Sequence, residues 1–178
     1  MMRKNSGTLI TRWMCAAMLV TLATGLSGCA GYRLGNSLPP GIHSVCINPF
    51  ANKTKEAGIE STATQKAVQE FQRDGTLKVA TAAEADLILD VTLVEYVLEP
   101  IRYTGTDATK ANEYRLTLRA DLVLKNQKTG KTMLDKVRVS GESTFTAESD
   151  VAQAKQNALP NTSADLAHNI VEQVVEYW

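Results

Sequence analysis

The stretch Glu-Tyr-Arg-Leu-Thr-Leu-Arg-Ala-Asp-Leu-Val-Leu-Lys, residues 113–125, alternates between polar and apolar side chains along almost its whole length. Its apolar set comprises Tyr114, Leu116, Leu118, Ala120, Leu122 and Leu124. Charged and hydroxyl side chains occupy the intervening positions, with Val123 as the exception. Because successive side chains of a strand point to opposite faces, this pattern predicts a long strand with one buried and one solvated face.

Further strands are predicted on both sides of this stretch. Residues 126–130 end in a glycine and form a hairpin turn, after which Met133, Val137, Val139 and Phe145 continue the apolar face. Upstream, the alternation that starts at Leu87 changes phase after Leu93, which predicts either a bulge near Leu93–Glu95 or a strand end that is covered on both sides. Two shorter strands are expected at 43–47 and 77–81.

Two segments have helical periodicity instead. Ile59, Ala63, Ala67 and Phe71 recur at steps of four, and Asp74-Gly75 supplies a helix end. Near the C-terminus, Leu166, Ile170, Val174 and Trp178 repeat the same step. Pro160 marks either the first turn of this second helix or a kink within a longer helix that starts near Asp150.

Each of these helices is apolar on one side and therefore needs a sheet face to cover. The sequence predicts an α+β fold in which two helices pack on one face of a mixed, mostly antiparallel sheet. The opposite face of this two-layer sandwich is expected to be open.

The N-terminus has the features of an export signal. Arg3, Lys4 and Arg12 precede an apolar stretch at 13–22, which is too short to span a membrane. Leu26-Ser27-Gly28-Cys29 then resembles the lipobox of bacterial lipoproteins, in which the cysteine is acylated with chains such as palmitate and becomes the first residue. An ordinary cleaved signal followed by an incidental cysteine is the alternative interpretation.

The chain is accordingly predicted to comprise a signal peptide at 1–28, a lipidated lead at 29–42 and a single domain at 43–178. Ala30, in place of an aspartate after the cysteine, favours the periplasmic face of the outer membrane.

Composition excludes some classes of function. The first 28 residues hold three basic and no acidic side chains, so the remaining 150 carry 16 basic and 19 acidic ones. This slightly acidic charge balance does not favour nucleic-acid binding, which usually requires a basic domain. Once Cys15 leaves with the signal and Cys29 is acylated, Cys46 remains alone, so no internal disulfide is expected and Cys46 is interpreted as a buried, small hydrophobic residue.

No catalytic or metal-binding pattern is present in the sequence. His43 and His168 are far apart and have no cysteine or carboxylate companions at metal-ligand spacing. Asp86 and Asp90 are interpreted as part of a solvated strand face. The sequence therefore predicts a protein that is not an enzyme and that holds no metal or cofactor besides the covalent lipid.

One charge pattern stands out on the predicted hairpin. If the turn centres near Lys128, Arg119 lies opposite Arg138 and Asp121 lies opposite Lys136. With Arg115 on the same face, four cations then occupy two adjacent strands and Asp121 is their main counter-charge. Because like charges opposite one another weaken a ladder, the cluster indicates an anionic counterpart such as phosphate. A charged edge that discourages aggregation is the alternative.

Several short motifs together resemble the LPS-assembly lipoprotein family (LptE). They are Cys29-Ala30-Gly31-Tyr32, the run from Ile47 to Thr54, Glu113-Tyr114-Arg115-Leu116, and the run from Asp165 to Val171. The resemblance implies a non-enzymatic outer-membrane lipoprotein that sits in the LPS translocon barrel (LptD), assists its assembly and contacts lipopolysaccharide (LPS).

Residues 45–52 are also similar to the opening of curli-secretion-type and TolB N-terminal-type domains. A lipid-anchored scaffold or secretion component of another envelope assembly is therefore the second hypothesis.

Overall fold

The computed structural model describes residues 38–103, 111–147 and 150–177. Its elements are β1 (Ser44–Ile47), β2 (Ala51–Asn52), α1 (Ile59–Asp74), β3 (Lys78–Val79), β4 (Leu87–Tyr103), β5 (Ala111–Asn126), β6 (Thr132–Thr146) and α2 (Val151–Val175). The predicted signal peptide, Cys29 and the lead as far as residue 37 lie outside the described residues.

The six strands form one mixed sheet in the order β3-β1-β4-β5-β6, and β2 pairs with β4 beyond the end of β1. The long ladders, β4 with β5 and β5 with β6, are antiparallel, whereas the short strands β1, β2 and β3 pair in parallel. The two helices pack against each other and on one face of this sheet. The predicted α+β two-layer fold is confirmed.

The core lies between the helices and the apolar face of the sheet. The alternating leucines of β5 are fully buried there, and so are the predicted stripes of α1, from Ile59 to Phe71, and of α2, from Leu166 to Val174. As expected, α1 ends at Gly75, whose φ of 74° is left-handed and whose N–H donates to the Phe71 carbonyl. Cys46 is buried, as predicted, and is a free thiol.

Helix α2 resolves the two interpretations of Pro160 in favour of the longer helix. It begins at Val151, where the Asp150 carboxylate accepts the N–H of Gln153 at 2.9 Å, and Pro160 lies inside it. No helix in the described part of the chain is both long enough and apolar enough to cross a membrane.

Of the two interpretations of the phase change after Leu93, the bulge is confirmed, because the register with β5 shifts between Leu93 and Glu95. The predicted register of the β5–β6 hairpin is wrong. Next to the turn, Lys125 pairs with Thr132, as a turn centred near Lys128 requires. Two register shifts then follow, one on each side of the Leu124–Val123 positions, and each leaves one extra residue in β6. Consequently Arg119 lies opposite Ser140, and Asp121 lies opposite Arg138.

Lys136 is one of the two extra residues. It adopts a φ of 52°, a left-handed conformation that is rare for a residue with a side chain. The alternation of β6 cannot be extrapolated through such a residue, which is why the predicted pairing of Asp121 with Lys136 fails.

Helix α2 runs unusually close to β6. A Cβ built on Gly141 would lie 2.6 Å from the Cβ of Leu166 and closer still to its backbone. On either side of this contact, α2 side chains bond the outer edge of β6. The Glu142 N–H donates to Asp165 Oδ2 at 2.8 Å, and Asn169 Nδ2 donates to the Ser140 carbonyl at 2.8 Å.

The open sheet face as a candidate binding site

The sheet face turned away from the helices is called the open face below. Its side chains come from the residues that alternate with the buried leucines, because strand pleating sends successive side chains to opposite sides. Arg115, Arg119 and Asp121 on β5 and Arg138 on β6 all belong to it, as the sequence predicts.

Ion pairs between neighbouring strands run along this face. They join Arg102 to Glu113 (3.2 Å), Arg115 to Glu142 (3.7 Å), Arg119 to Glu95, Lys125 to Asp90 (3.2 Å) and Arg138 to Asp121 (2.8 Å). The predicted cluster of four cations with Asp121 as the main counter-charge is therefore wrong, because Glu95 on β4 and Glu142 on β6 neutralise Arg119 and Arg115. The β4–β5 pairing places Glu95 opposite Arg119, and the β5–β6 register places Glu142 diagonal to Arg115.

The exception to this balance is the group of charges around Asp121. Arg138 Nε and Nη2 donate to its two carboxylate oxygens at 2.8 and 3.1 Å. These hydrogen bonds are the main reason that the pKa of Asp121 lies below its usual range, and the charges of Lys136 and Lys53 lower it further. The hydrogen bond to Asp121 in turn raises the pKa of Arg138.

The positive charges of Arg138, Lys136 and Lys53 thus all act on the Asp121 carboxylate, and we call these four residues the cationic corner. Lys53 directly follows β2 and reaches the corner because β2 pairs with β4, which pairs with β5. Sequence reasoning missed Lys53, because a two-residue parallel strand leaves no periodic signal. All three cations are exposed, so they are available to an anion from solvent.

The ion pairs themselves contribute little to folding. The side chains of Arg119 and Glu95 are 42% and 43% exposed, and those of Arg115 and Glu142 are 44% and 49% exposed. Exposed pairs of this kind typically contribute at most about 1 kcal/mol. Substitutions on the open face can therefore test binding without unfolding the chain.

Asp86 is a second correction to the sequence interpretation. It precedes β4 and is buried rather than solvated. Its carboxylate accepts hydrogen bonds from the His43 N–H (2.9 Å) and Ser44 Oγ (3.0 Å) and pairs with Lys128 at 2.6 Å. The Lys128 ammonium group is the main cause of the lowered pKa of Asp86, and the His43 N–H adds to it. Asp86 therefore ties β1 to the β5–β6 turn.

Within the described ranges, no three His, Cys, Asp or Glu side chains are grouped to hold a metal ion. Of the two histidines of the chain, His43 precedes β1 and His168 lies on α2, where its Nδ1 is 3.2 Å from Glu70 Oε1.

Solved structures with a similar fold come from several bacteria. A hypothetical protein of Chlamydia trachomatis is 10% identical, with 76% of this chain and 97% of that chain covered and a TM-score of 0.52. A protein of Xanthomonas campestris is also 10% identical, with 79% and 90% covered and a TM-score of 0.51. A putative lipoprotein of Caulobacter crescentus is 16% identical, with 72% and 89% covered and a TM-score of 0.48. At such identities the likeness concerns the fold alone, and a search of the curated proteins returned no match.

Fold and site together define a two-layer α+β protein with a charged, open sheet face. The model of the LptE family, described as lipopolysaccharide-assembly, matches residues 42–176. The chain belongs to this family, and the resemblance found in its sequence motifs is confirmed. It is accordingly an LPS-assembly lipoprotein by family.

Proposed function

We propose that this chain is an outer-membrane lipoprotein, anchored by acylated Cys29 on the periplasmic side, that partners the LPS translocon barrel (LptD-like). In this role it assists assembly of the barrel and insertion of LPS at the outer membrane, without catalysis, metal or cofactor. The observation that carries the proposal is the family match, which spans both helices and the described strands. The order of export signal, lipobox and domain in the sequence supports the same assignment.

The cationic corner is the part of the open face that we assign to the phosphorylated region of LPS. The two lysines and Arg138 exceed Asp121 by two charges, whereas the pairs elsewhere on the face balance one to one. A phosphate group can accept two hydrogen bonds from the planar guanidinium of Arg138, as the Asp121 carboxylate does. The two lysines then act as point charges beside it. Arg115 and Arg119, whose side chains are half exposed, extend the same surface.

The first test is purification of the acylated protein from outer membranes in mild detergent. We expect a stoichiometric complex with a large β-barrel of the LPS translocon. Recovery of a homo-oligomeric ring without any barrel would contradict the proposal and would favour the second hypothesis, an envelope scaffold or secretion component.

The second test is charge reversal at the cationic corner. Replacing Lys53→Glu together with Lys136→Glu keeps the Arg138–Asp121 pair but turns the excess of positive charge into an excess of negative charge. We expect LPS binding to weaken about tenfold or more at low salt, with a difference that shrinks as salt rises because the charges are exposed. Binding is measured by titration with purified LPS over a salt series, beside thermal unfolding of each variant.

Lys125→Glu is the matched control, because it reverses a charge on the same face at a balanced pair. It is expected to leave LPS binding within about twofold of wild type, and both variants are expected to unfold within about 0.5 kcal/mol of wild type. The double variant Arg119→Asp with Arg138→Asp extends the test to the arginines. If both double variants bind LPS with wild-type affinity, the open face is only a solvated surface and the assignment is overturned.

A further inference from the structure

The outer edge of β6 changes character along its length. In a regular strand, alternate residues direct their N–H and C=O groups to the same edge. Ser140 and Glu142 direct theirs outward, where Asn169 and Asp165 of α2 bond them. The register with β5 is regular from Arg138 to Thr146, so Thr144 and Thr146 direct their backbone groups to the same outer edge.

Other exposed edges of the sheet carry the devices by which proteins prevent strand pairing. Strand β3 is only two residues long and includes Lys78. The distal half of β4 contains Pro100, which has no N–H to donate. The first half of β6 contains two register shifts and the charges of Asp135, Lys136 and Arg138.

Thr144–Thr146 has none of these devices. No charged residue occurs in 143–147, nor in 156–164 of the adjacent helix, although 21% of the chain is charged. In the part of the chain that the structure describes, no strand or side chain bonds the outward backbone groups of Thr144 and Thr146. An uncharged, unprotected edge of this kind is a template for an additional strand.

Helix α2 leaves room beside this edge. Between Thr144–Thr146 and the helix residues Ala154, Asn157, Ala158 and Asn161 lies a groove of about 320 Å³. The small side chains of Ala154 and Ala158 leave space between the helix and the strand. Asn157 Oδ1 accepts a hydrogen bond from Gln153 at 3.1 Å, and no described residue accepts one from its N–H groups, which can therefore bond an incoming backbone. Asn161 is exposed beside it.

We infer that this groove takes an extended segment of the barrel partner, which adds to β6 as a short seventh strand. Its backbone pairs with the N–H and C=O groups of Thr144 and Thr146, and the asparagine amides of α2 bond its outer side. The inference rests on the proposed function for the identity of the partner. The mode of binding follows from the edge, since a row of alternating donors and acceptors is complementary to another extended backbone.

The position of α2 beside β6 favours an extended segment over a second copy of this chain. Asp165 and Asn169 reach the edge from α2, so the helix already lies beside the strand. A two-fold pairing of two β6 strands would bring the α2 helices of both copies together at the same edge. Addition is also limited to about three residues, because Glu142 and Ser140 are already bonded.

The test uses the full-length acylated lipoprotein co-expressed with the translocon barrel of the same organism. Amide hydrogen exchange is compared between the free lipoprotein and the complex in one detergent. We expect the amides of Thr144 and Thr146 to exchange at least about tenfold more slowly in the complex, since each gains a hydrogen bond.

Two pairs of variants separate backbone pairing from other effects. Thr146→Pro removes one outward N–H and is expected to lower the affinity for the barrel about tenfold, whereas Thr146→Ala retains the N–H and the affinity. Asn161→Lys places a charge in the groove and lowers the affinity, whereas Ala164→Lys adds the same charge at an exposed helix position outside the groove and does not. Thermal unfolding of each variant checks that the fold is kept.

The outcomes are distinguishable. Failure of the wild-type chain to form any complex with the barrel would overturn the proposed function. A complex in which the Thr144 and Thr146 amides exchange freely, or which Thr146→Pro and Asn161→Lys leave intact, would overturn strand addition alone. Protection that appears in the free lipoprotein and grows with its concentration would assign the edge to a second copy and would likewise overturn the inference.

Discussion

Gly141→Val is expected to destabilise the domain by about 3 kcal/mol or more. A Cβ at this position would meet the backbone of Leu166, which is part of a helix and cannot rotate aside as a side chain can. The helix would have to move away from the strand, and overpacking of a well-filled site commonly costs about 1–3 kcal/mol even where side chains can yield. Because Asp165 and Asn169 bond β6 on either side of this contact, the same movement would strain both hydrogen bonds.

Thermal unfolding measures the effect, which should exceed about 10 °C in midpoint for a domain of this size. Gly141→Ala is expected to fall between wild type and Gly141→Val. Ser140→Val is the matched control, since it adds a similar side chain one residue away but on the open face, where it should change stability by no more than about 0.5 kcal/mol. A wild-type midpoint for Gly141→Val would mean that α2 does not lie against β6 as described.

Elements whose formation depends on local periodicity could be predicted from the sequence. The alternation of β5 and the four-residue steps of α1 and α2 each reflect one buried face, and the structure buries β5 from Leu116 to Leu124 on this face and both helix stripes as far as Val174. Tyr114 is half-buried, and Trp178, the last predicted residue of the α2 stripe, lies outside the described residues. The phase change after Leu93 likewise revealed a bulge, because an inserted residue necessarily exchanges the two faces of a strand.

Features that depend on contacts between distant segments could not be predicted. The two extra residues of β6 carry no turn-forming side chain, and Lys136 holds a left-handed φ without being glycine or asparagine. Lys53 joins Asp121 only through the parallel pairing of β2 with β4, and Asp86 is buried because backbone and side-chain donors from β1 satisfy its carboxylate. The three candidate arginines were therefore placed on the correct face but two of them were given the wrong partners, and Lys136 is an extra residue that the alternation does not place.

The close contact at Gly141 could be predicted from the sequence only in part. A single glycine within an alternating strand indicates either a bulge or the close approach of another backbone. The sequence signal was present, but the partner, Leu166, is known only once the helix is placed on the sheet.

The prediction with the largest effect on function concerns the membrane anchor. In Cys29→Ala the acyl acceptor is lost, so the signal peptide is expected to remain uncut and the chain to be absent from the outer membrane. Each buried methylene contributes about 0.8 kcal/mol to membrane binding, and a single acyl chain binds only reversibly. Two or three chains on Cys29 would thus account for stable anchoring, and their loss in Cys29→Ala would remove it.

Mass spectrometry of the membrane-extracted protein decides the outcome. The wild-type chain should begin at a Cys29 that carries the mass of its acyl groups, whereas Cys29→Ala should retain its signal peptide and carry no acyl group. Cys46→Ala is the matched control, because it removes the buried thiol of β1 and should leave processing unchanged. An unmodified wild-type chain that starts at another residue would show that the signal is cleaved in the ordinary way and that Cys29 is not the anchor. The open face would then have to reach its partner without being held at the membrane.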